Sequence, residues 1–477
     1  MPDRSPMPDV VVVLPGIMGS VLTKNGKTVW GYSGKLIGTT LLTRGGTLRE
    51  QLALQDDLPD AEVLDDGIVA EKLVPDFQLL AGIWKIDGYS KLCSFIKERF
   101  DIVEGLNYFG FPYDWRRDNR VAAKKLARLT HDWLNKWKDH SGNPDPKLIL
   151  ITHSMGGLVS RYFLEVLGGW KQTRALFSFG TPYRGSLNAL DGLANGAQKG
   201  PLGLIELSDL VRSFTSMYQL LPIYPAYDPG DGTLVRIAET SGIPYVDPAK
   251  ARAALEFHHE ITRAAGQNRK DPEWEKQAYH IYPIVGIEQE TRQSARKVNN
   301  GVELSLTYKG KMLGGDGTVP RVSALPIEFD GAQPQPGRMY AATQHGSLQN
   351  ADAALVQLAG QIDDLYLDFG GFKSARPGGA NVALHIDDLV TSDEPIQVRA
   401  KSDSPIALTA HLLDPDTNEP VQQLSLKGST DDWQHGAFEP VPAGYYRVRV
   451  TGPGVIQPAE DAVAVAMAGA VSKEMLG

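Results

Sequence analysis

A serine hydroxyl is a poor nucleophile near neutral pH, so a serine meant to react needs a base within reach and a third group to orient that base. Ser154 is placed for such work. It follows the apolar run Leu148-Ile149-Leu150-Ile151 and precedes Met155-Gly156-Gly157, after which the apolar spacing turns helical from Leu158 onward. A sharp strand-to-helix turn of this kind lifts one hydroxyl above a sheet edge and points a helix N-terminus at it. Gly156 and Gly157 let the two elements pack closely, while Thr152 stands where a glycine is usual, two residues before the serine. A Ser-x-Gly-Gly turn also serves merely to cap a helix in a nucleotide-binding fold. Neither Gly-x-Gly-x-x-Gly nor Gly-Lys-Ser/Thr occurs at this one.

The base must swing an imidazole over the serine from a loop. Of His258, His259, His280 and His345, only His345 sits in a glycine-containing loop after an apolar stretch, Met339 to Thr343, that reads as a last sheet strand. Adjacent His258-His259-Glu260 point apart on a helix and read as a surface helix rather than a metal site. For the acid there are two candidates, because Gly315-Asp316-Gly317-Thr318-Val319 is nearly repeated by Gly230-Asp231-Gly232-Thr233-Leu234. Both satisfy the chain order serine, acid, histidine. Asp316 follows a clear strand and is preferred; Asp231 lies in an insertion, and a plain Asp-Gly turn is the bland reading of either. Near the N-terminus, the β-branched run Val10-Val11-Val12-Val13-Leu14 ends in Pro15-Gly16-Ile17-Met18. A strand followed by such a loop offers a backbone N–H for an oxyanion, so Ile17 and Met155 are the expected donors.

These residues need a scaffold. The chain has 477 residues, long enough for a large core plus an accessory unit, with 42% hydrophobic residues and no apolar run approaching a membrane span. A formal net charge of −9 argues against nucleic acid as a partner and gives no general attraction to anionic membranes. The single cysteine, Cys93, forms no internal disulfide and reads as a buried structural thiol. No secretory h-region is present at the N-terminus, so a cytoplasmic location is expected, with signal-independent export left open.

Short apolar strands alternate with helices at 88–99 and 119–137, and strands are expected at 101–108, 174–179 and 280–286, which predicts a parallel sheet covered on both faces. The irregular stretch at about 23–87 reads as a cap, in which Asp56-Asp57 and Asp65-Asp66 are expected in solvated turns. Trp84 with Leu79, Leu80 and Ile83 suits either core or a lipid-facing patch. The proline- and tyrosine-rich insertion at about 187–279, with a helix at 248–268, reads as a lid. Beyond a glycine-rich linker the pattern changes to short alternating strands, so residues 380–477 are expected as a β-sandwich accessory domain after a catalytic domain at 1–370. That accessory domain shows no catalytic constellation and reads as a binding, docking or stabilising unit, with no protein partner identifiable.

In order along the chain stand Pro15-Gly16-Ile17-Met18-Gly19-Ser20, Pro112-Tyr113-Asp114-Trp115-Arg116, His153-Ser154-Met155-Gly156, Gly180-Thr181-Pro182-Tyr183-Arg184-Gly185-Ser186, Gly315-Asp316-Gly317-Thr318-Val319-Pro320 and Gln344-His345. Over roughly the first three-quarters of the chain this set resembles the lecithin:cholesterol acyltransferase family, with Pro-Tyr-Asp-Trp-Arg its most specific element. The resemblance implies an α/β-hydrolase fold, Ser154, Asp316 and His345 as catalytic triad, Ile17 and Met155 as oxyanion hole, and a lipid ester as acyl donor. The expectation is therefore an α/β-hydrolase domain with a lid insertion and a C-terminal all-β domain, acting as a serine esterase, lipase or acyltransferase. No cofactor and no metal are expected, and the partner is a lipid or other ester, with room for transient contact with a membrane surface. A non-catalytic binding protein of the same fold, or an exported phospholipase toxin with the same chemistry, are the other readings.

Overall fold

In the protein's structure, a computed structural model, the described residues are 4–31, 46–55, 57–75, 78–80, 84–199, 205–330, 337–366, 380, 382–402, 404–415, 417–428, 433–455 and 458–468, without the side chains of 78–80, 84–86, 198–199 and 205. Six strands build the central sheet: β1 (Val10–Leu14), β2 (Tyr108–Gly110), β3 (Leu148–His153), β4 (Thr173–Phe179), β5 (His280–Gly286) and β6 (Met339–Ala341). Their spatial order is β6-β5-β4-β3-β1-β2, and every pairing is parallel. Every residue of β1 and β3 is buried, which is why both read as continuous apolar runs instead of alternating ones.

The chain reverses its winding direction after β1. It crosses outward to β2, then returns past β1 to β3 and continues the other way. With right-handed crossovers this splits the helices between the faces. Helix α1 (Ser90–Arg99) and the closing helix Asp352–Asp364 pack together, as do α2 (Asn119–Ser141) and α3 (Gly156–Arg161), the helix after Ser154. A switch point of this kind opens a crevice at the C-terminal ends of β1 and β3, where the Pro15-Gly16-Ile17 loop and Ser154 emerge. Local signals set the helix ends. The Asp118 carboxylate accepts from Arg120 N at the start of α2, and Gly142 closes it in the left-handed conformation at φ 72°.

Several expectations are corrected. The stretch expected as one strand from Asp101 to Tyr108 is two short strands, Phe100–Asp101 and β2, separated by a turn with Gly105 at positive φ. The irregular stretch after the first strand contains a three-stranded antiparallel sheet of Ser20–Lys24, Lys27–Trp30 and Ile68–Leu73. Its hairpin turns on Asn25-Gly26, both at positive φ, the turn chemistry that matches strand twist. The acidic pairs are not simply solvated: Asp57 bonds buried Arg117 at 3.1 Å, and Asp66 bonds buried Arg116 at 2.7 Å. Asp56, Ile83 and the side chains of Leu79, Leu80 and Trp84 lie outside the description. Cys93 is half-buried rather than fully buried, although burial still pushes its thiol pKa up. On the helix Pro248–Asn268, His258 is no surface residue. It is buried, its Nε2 donates to Gln219 O at 2.8 Å, and loss of solvent holds its pKa down to about 4. Among the described residues no helix is long and apolar enough to cross a membrane, and no cluster of three or more His, Cys, Asp or Glu side chains could hold a metal.

Past the stretch 367–379, which lies outside the described residues, two further sheets follow. One has four strands, including β7 (Val382–Ile386) and Ile396–Ser402; the other has five, including Gly444–Thr451 and Ala459–Ala466. All pairings are antiparallel except Leu389–Thr391 with Ala459–Ala466. Alternation drives the burial. In Ile396–Ser402 the buried Ile396, Val398 and Ala400 are interleaved with more exposed Gln397, Arg399 and Lys401. The inward residues of both sheets, such as Leu384, Val398, Phe438, Leu412 and Val448, form one apolar core separate from that of the central sheet.

Candidate active site

Ser154 follows β3 with φ 51°, a left-handed conformation uncommon for any residue with a side chain. The strain is held by its surroundings, since Ser154 N donates to Phe179 O at 2.8 Å and Gly157 N donates to Ser154 O at 3.0 Å. The two glycines after it are dictated by crowding. A Cβ on Gly156 would lie 2.5 Å from Pro15 O, and one on Gly157 would overlap the side chain of Thr181. Thr152 fits where it stands because its hydroxyl donates to Phe177 O at 3.1 Å across the sheet.

His345 stands after β6, over the serine. Its Nε2 lies 2.9 Å from Ser154 Oγ, and its Nδ1 lies 2.8 Å from Asp316 Oδ2. A carboxylate only accepts, so Nδ1 carries the hydrogen and Nε2 is free to accept the serine proton. The second carboxylate oxygen of Asp316 accepts from Thr318 N at 2.9 Å and Val319 N at 2.6 Å, and His345 N donates to Asp316 O at 2.8 Å. Relative exposures are 5% for Ser154, 4% for His345 and 1% for Asp316. Asp231 is elsewhere: in an exposed turn its carboxylate accepts from Thr233 N at 2.8 Å. Gly286, the last residue of β5, makes room for the acid, because a Cβ there would overlap that of Asp316.

The loop from Pro15 to Ser20 passes beside the serine, and a Cβ on Gly16 would come within 2.8 Å of Ser154 Cβ. Ile17 is buried in this loop, and buried Met155 caps α3, where first-turn amides have no partner inside the helix. The aromatic motif at 112–116 explains how the loop is held. Tyr113 Oη donates to Pro15 O at 2.9 Å, Tyr113 N donates to Ser20 Oγ at 3.0 Å, and Trp115 Nε1 donates to Ser20 O at 3.1 Å. Trp30 Nε1 adds a bond to Met18 O at 2.8 Å. Arg116, with no exposed side-chain surface, joins Asp114 and Asp66 by charge-assisted bonds of 2.6 and 2.7 Å and donates to Leu52 O, so the chain around Leu52 and Asp66 is fastened to the same motif.

Two residues escaped the sequence reading. His153 Nε2 lies 3.0 Å from His345 O, a carbonyl that only accepts, so Nε2 carries the hydrogen and Nδ1 accepts from Tyr89 Oη at 3.0 Å. Tyr89 Oη in turn accepts from Gly16 N at 2.8 Å. One continuous chain of buried hydrogen bonds thus runs from the Gly16-Ile17 loop to the backbone of His345. Burial holds the His153 pKa down to about 3, keeping the ring neutral, and keeps the Tyr89 phenol protonated. His153 was visible only as the neighbour of Ser154, and nothing in the spacing of Tyr89 marked it. The arrangement can activate a hydroxyl, carry its proton and orient an oxyanion toward backbone amides, which is the equipment of acyl transfer.

The sequence pattern of the lecithin:cholesterol acyltransferase family matches residues 83–257, which include Ser154, His153, Tyr89 and the 112–116 motif. The chain is 30% identical over 132 residues to human "Lysosomal phospholipase A and acyltransferase", covering 27% of this chain and 31% of that protein. It is 30% identical over 156 residues to "Phospholipase A(1) LCAT3" of Arabidopsis thaliana, covering 29% of this chain and 33% of that protein. The chain thus spans about a third of the length of these curated relatives. Among solved structures, the Tle4–Tli4 complex aligns over 76% of this chain and 99% of that one, at 16% identity and a TM-score of 0.48.

Proposed function

From the match of residues 83–257 to the lecithin:cholesterol acyltransferase family, we propose that this chain is a serine hydrolase or O-acyltransferase acting on lipid esters through an acyl-serine intermediate. The observation that supports this most strongly is the unbroken Ser154–His345–Asp316 chain of hydrogen bonds at 2.9 and 2.8 Å. In the mechanism, Ser154 Oγ attacks the acyl carbon as its proton passes to His345 Nε2, and the carbonyl electron pair moves onto oxygen. The resulting oxyanion is held by the N–H groups of Ile17 and Met155. Collapse breaks the bond to the alcohol oxygen, which takes the proton from His345 Nε2 and leaves. Water or a second alcohol then gives its proton to His345, attacks the acyl-serine and releases Ser154 by the same steps reversed. Throughout, Asp316 holds the His345 tautomer and stabilises the imidazolium. Water is the default acceptor.

The catalytic unit is taken as residues 1–370, with the cap at about 23–87 and a lid at about 187–279, and residues 380–477 as a β-sandwich unit. A cytoplasmic location and transient contact with a membrane surface complete the reading; the single cysteine suits a reducing compartment. The experiment is hydrolysis of p-nitrophenyl butyrate and of phosphatidylcholine in mixed micelles by the full chain and by Ser154→Ala. Loss of both activities in a folded variant is expected. Retention of either would overturn the mechanism.

A further inference from the structure

The two C-terminal sheets lie outside the matched family segment and show no catalytic constellation of their own among the described residues, yet they reach the loop that carries His345. A cleft of about 450 Å³ opens beside His345. It is lined by His345, Gln344 and Thr318 together with His385 of β7 and Trp433. These residues are tied together by hydrogen bonds. Gln344, next to His345, donates from Nε2 to Leu384 O at 2.8 Å. Gln289 accepts from Leu384 N at its Oε1 and donates from Nε2 to Val382 O, both at 3.3 Å, while its own backbone N donates to Gly315 O beside Asp316. On another side Arg447 of the five-stranded sheet pairs with buried Asp87 at 2.6 Å, and Asp87 N donates to Gly346 O in the His345 loop. Edge strand β7 is thus bonded directly to the loop of the base and, through Gln289, to the loop of the acid.

Reaction geometry says which half of an ester belongs in this cleft. The carbonyl oxygen must face Ile17 and Met155, and the departing alcohol oxygen must lie within reach of His345 Nε2, which protonates it. The cleft is lined by His345 and by neither Ile17 nor Met155, so of the two halves of the ester it is assigned the one that His345 protonates, the alcohol half. Its chemistry agrees. Exposed Glu290 and Arg292 flank the cleft, and His385 projects from β7 as an exposed residue on an otherwise buried run. An acyl chain laid here would strip water from groups of both charge signs without replacing their hydrogen bonds, whereas a polar, charged alcohol half would replace them.

We propose that the C-terminal sheets complete the substrate site, with His385 and Trp433 as specificity-determining residues that contact the alcohol half of the ester. The inference rests on the proposed acyl-serine mechanism. The test uses the full chain carrying His385→Ala or Trp433→Ala, and reads the ratio of kcat/KM on phosphatidylcholine in mixed micelles to kcat/KM on p-nitrophenyl butyrate, whose alcohol half is compact and carries no phosphate. His385 is exposed, so its truncation leaves the core intact, and a fall of about tenfold in the ratio is expected, the scale of losing one good polar contact. A ratio within twofold of wild type in both variants would overturn the assignment. Ser154→Ala assayed beside them separates the two failures: if it abolishes both activities while the ratio stays unmoved, only the cleft inference falls, and if it does not, both fall.

Discussion

Replacing Tyr89 with phenylalanine tests whether the serine's surroundings are held by the hydrogen-bond chain through His153. The ring stays, so packing volume is conserved and no cavity forms. What is lost is one hydroxyl that accepts from Gly16 N at 2.8 Å and donates to His153 Nδ1 at 3.0 Å, leaving two buried polar groups unpaired. At about 1–3 kcal/mol for each unsatisfied buried group, Tyr89→Phe costs roughly 2–6 kcal/mol of stability. The catalytic effect follows from position. Gly16 directly precedes Ile17, and removing a whole oxyanion donor costs about 10²–10³ in rate, so a donor loosened rather than deleted costs on the order of 10- to 100-fold. The loss belongs to the transition state, so kcat falls and KM barely moves. The assay is kcat and KM on p-nitrophenyl butyrate, paired with urea unfolding of the same preparations. A folded Tyr89→Phe chain with kcat within twofold of wild type would refute the reasoning, as would a loss wholly accounted for by the unfolded fraction.

Two other expectations follow. Gly286→Ala drives a methyl group into Asp316, so it displaces the acid and lowers kcat by at least tenfold, and overpacking of this kind costs about 1–3 kcal/mol of stability; kinetics and thermal melts read both, and an unchanged kcat would remove Gly286 from the account. Stability falls as pH drops from about 6.5 toward 4. His153 and His258 have folded pKa values depressed by burial to about 3 and about 4, so the stability they contribute is present above their unfolded pKa and is lost on acidification. Asp87, raised by burial to about 6, works the opposite way, and its contribution is lost as pH rises through that value. Two depressed histidines against one raised carboxyl leave stability rising with pH, read as urea-unfolding free energy between pH 4.5 and 6, and a flat or inverted slope would contradict the burial of the two histidines.

What could be read from the chain followed physical legibility. Buried parallel strands announce themselves as apolar runs, so Val10–Leu14, Leu148–His153 and His280–Gly286 were visible with their loops, and with them Ser154 and the loop of Ile17. The strict order of nucleophile, acid and base made His345 stand out, and it left Asp316 and Asp231 to be separated by place in the fold. Interactions made across long sequence distances were invisible. Asp57 and Asp66 look like ordinary acidic turn residues until Arg117 and Arg116 arrive from 60 and 50 positions away. Tyr89 and His153, and the bonds from β7 to Gln289 and Gln344, leave no periodic trace either. Their partners are backbone groups or lone side chains brought together only by tertiary structure. The burial of His258 shows the same limit, because two adjacent histidines on a helix reveal that they point apart but not which one faces the core.

The central claim is that Ser154 is a nucleophile activated by His345. Its most direct test is labelling of the full chain with a fluorophosphonate, followed by intact mass and peptide mapping. The account predicts one equivalent of adduct, confined to Ser154, formed in step with loss of esterase activity and absent from His345→Ala on the same timescale. A chain that hydrolyses esters while Ser154 stays unlabelled, or that labels as fast without the imidazole, would contradict it.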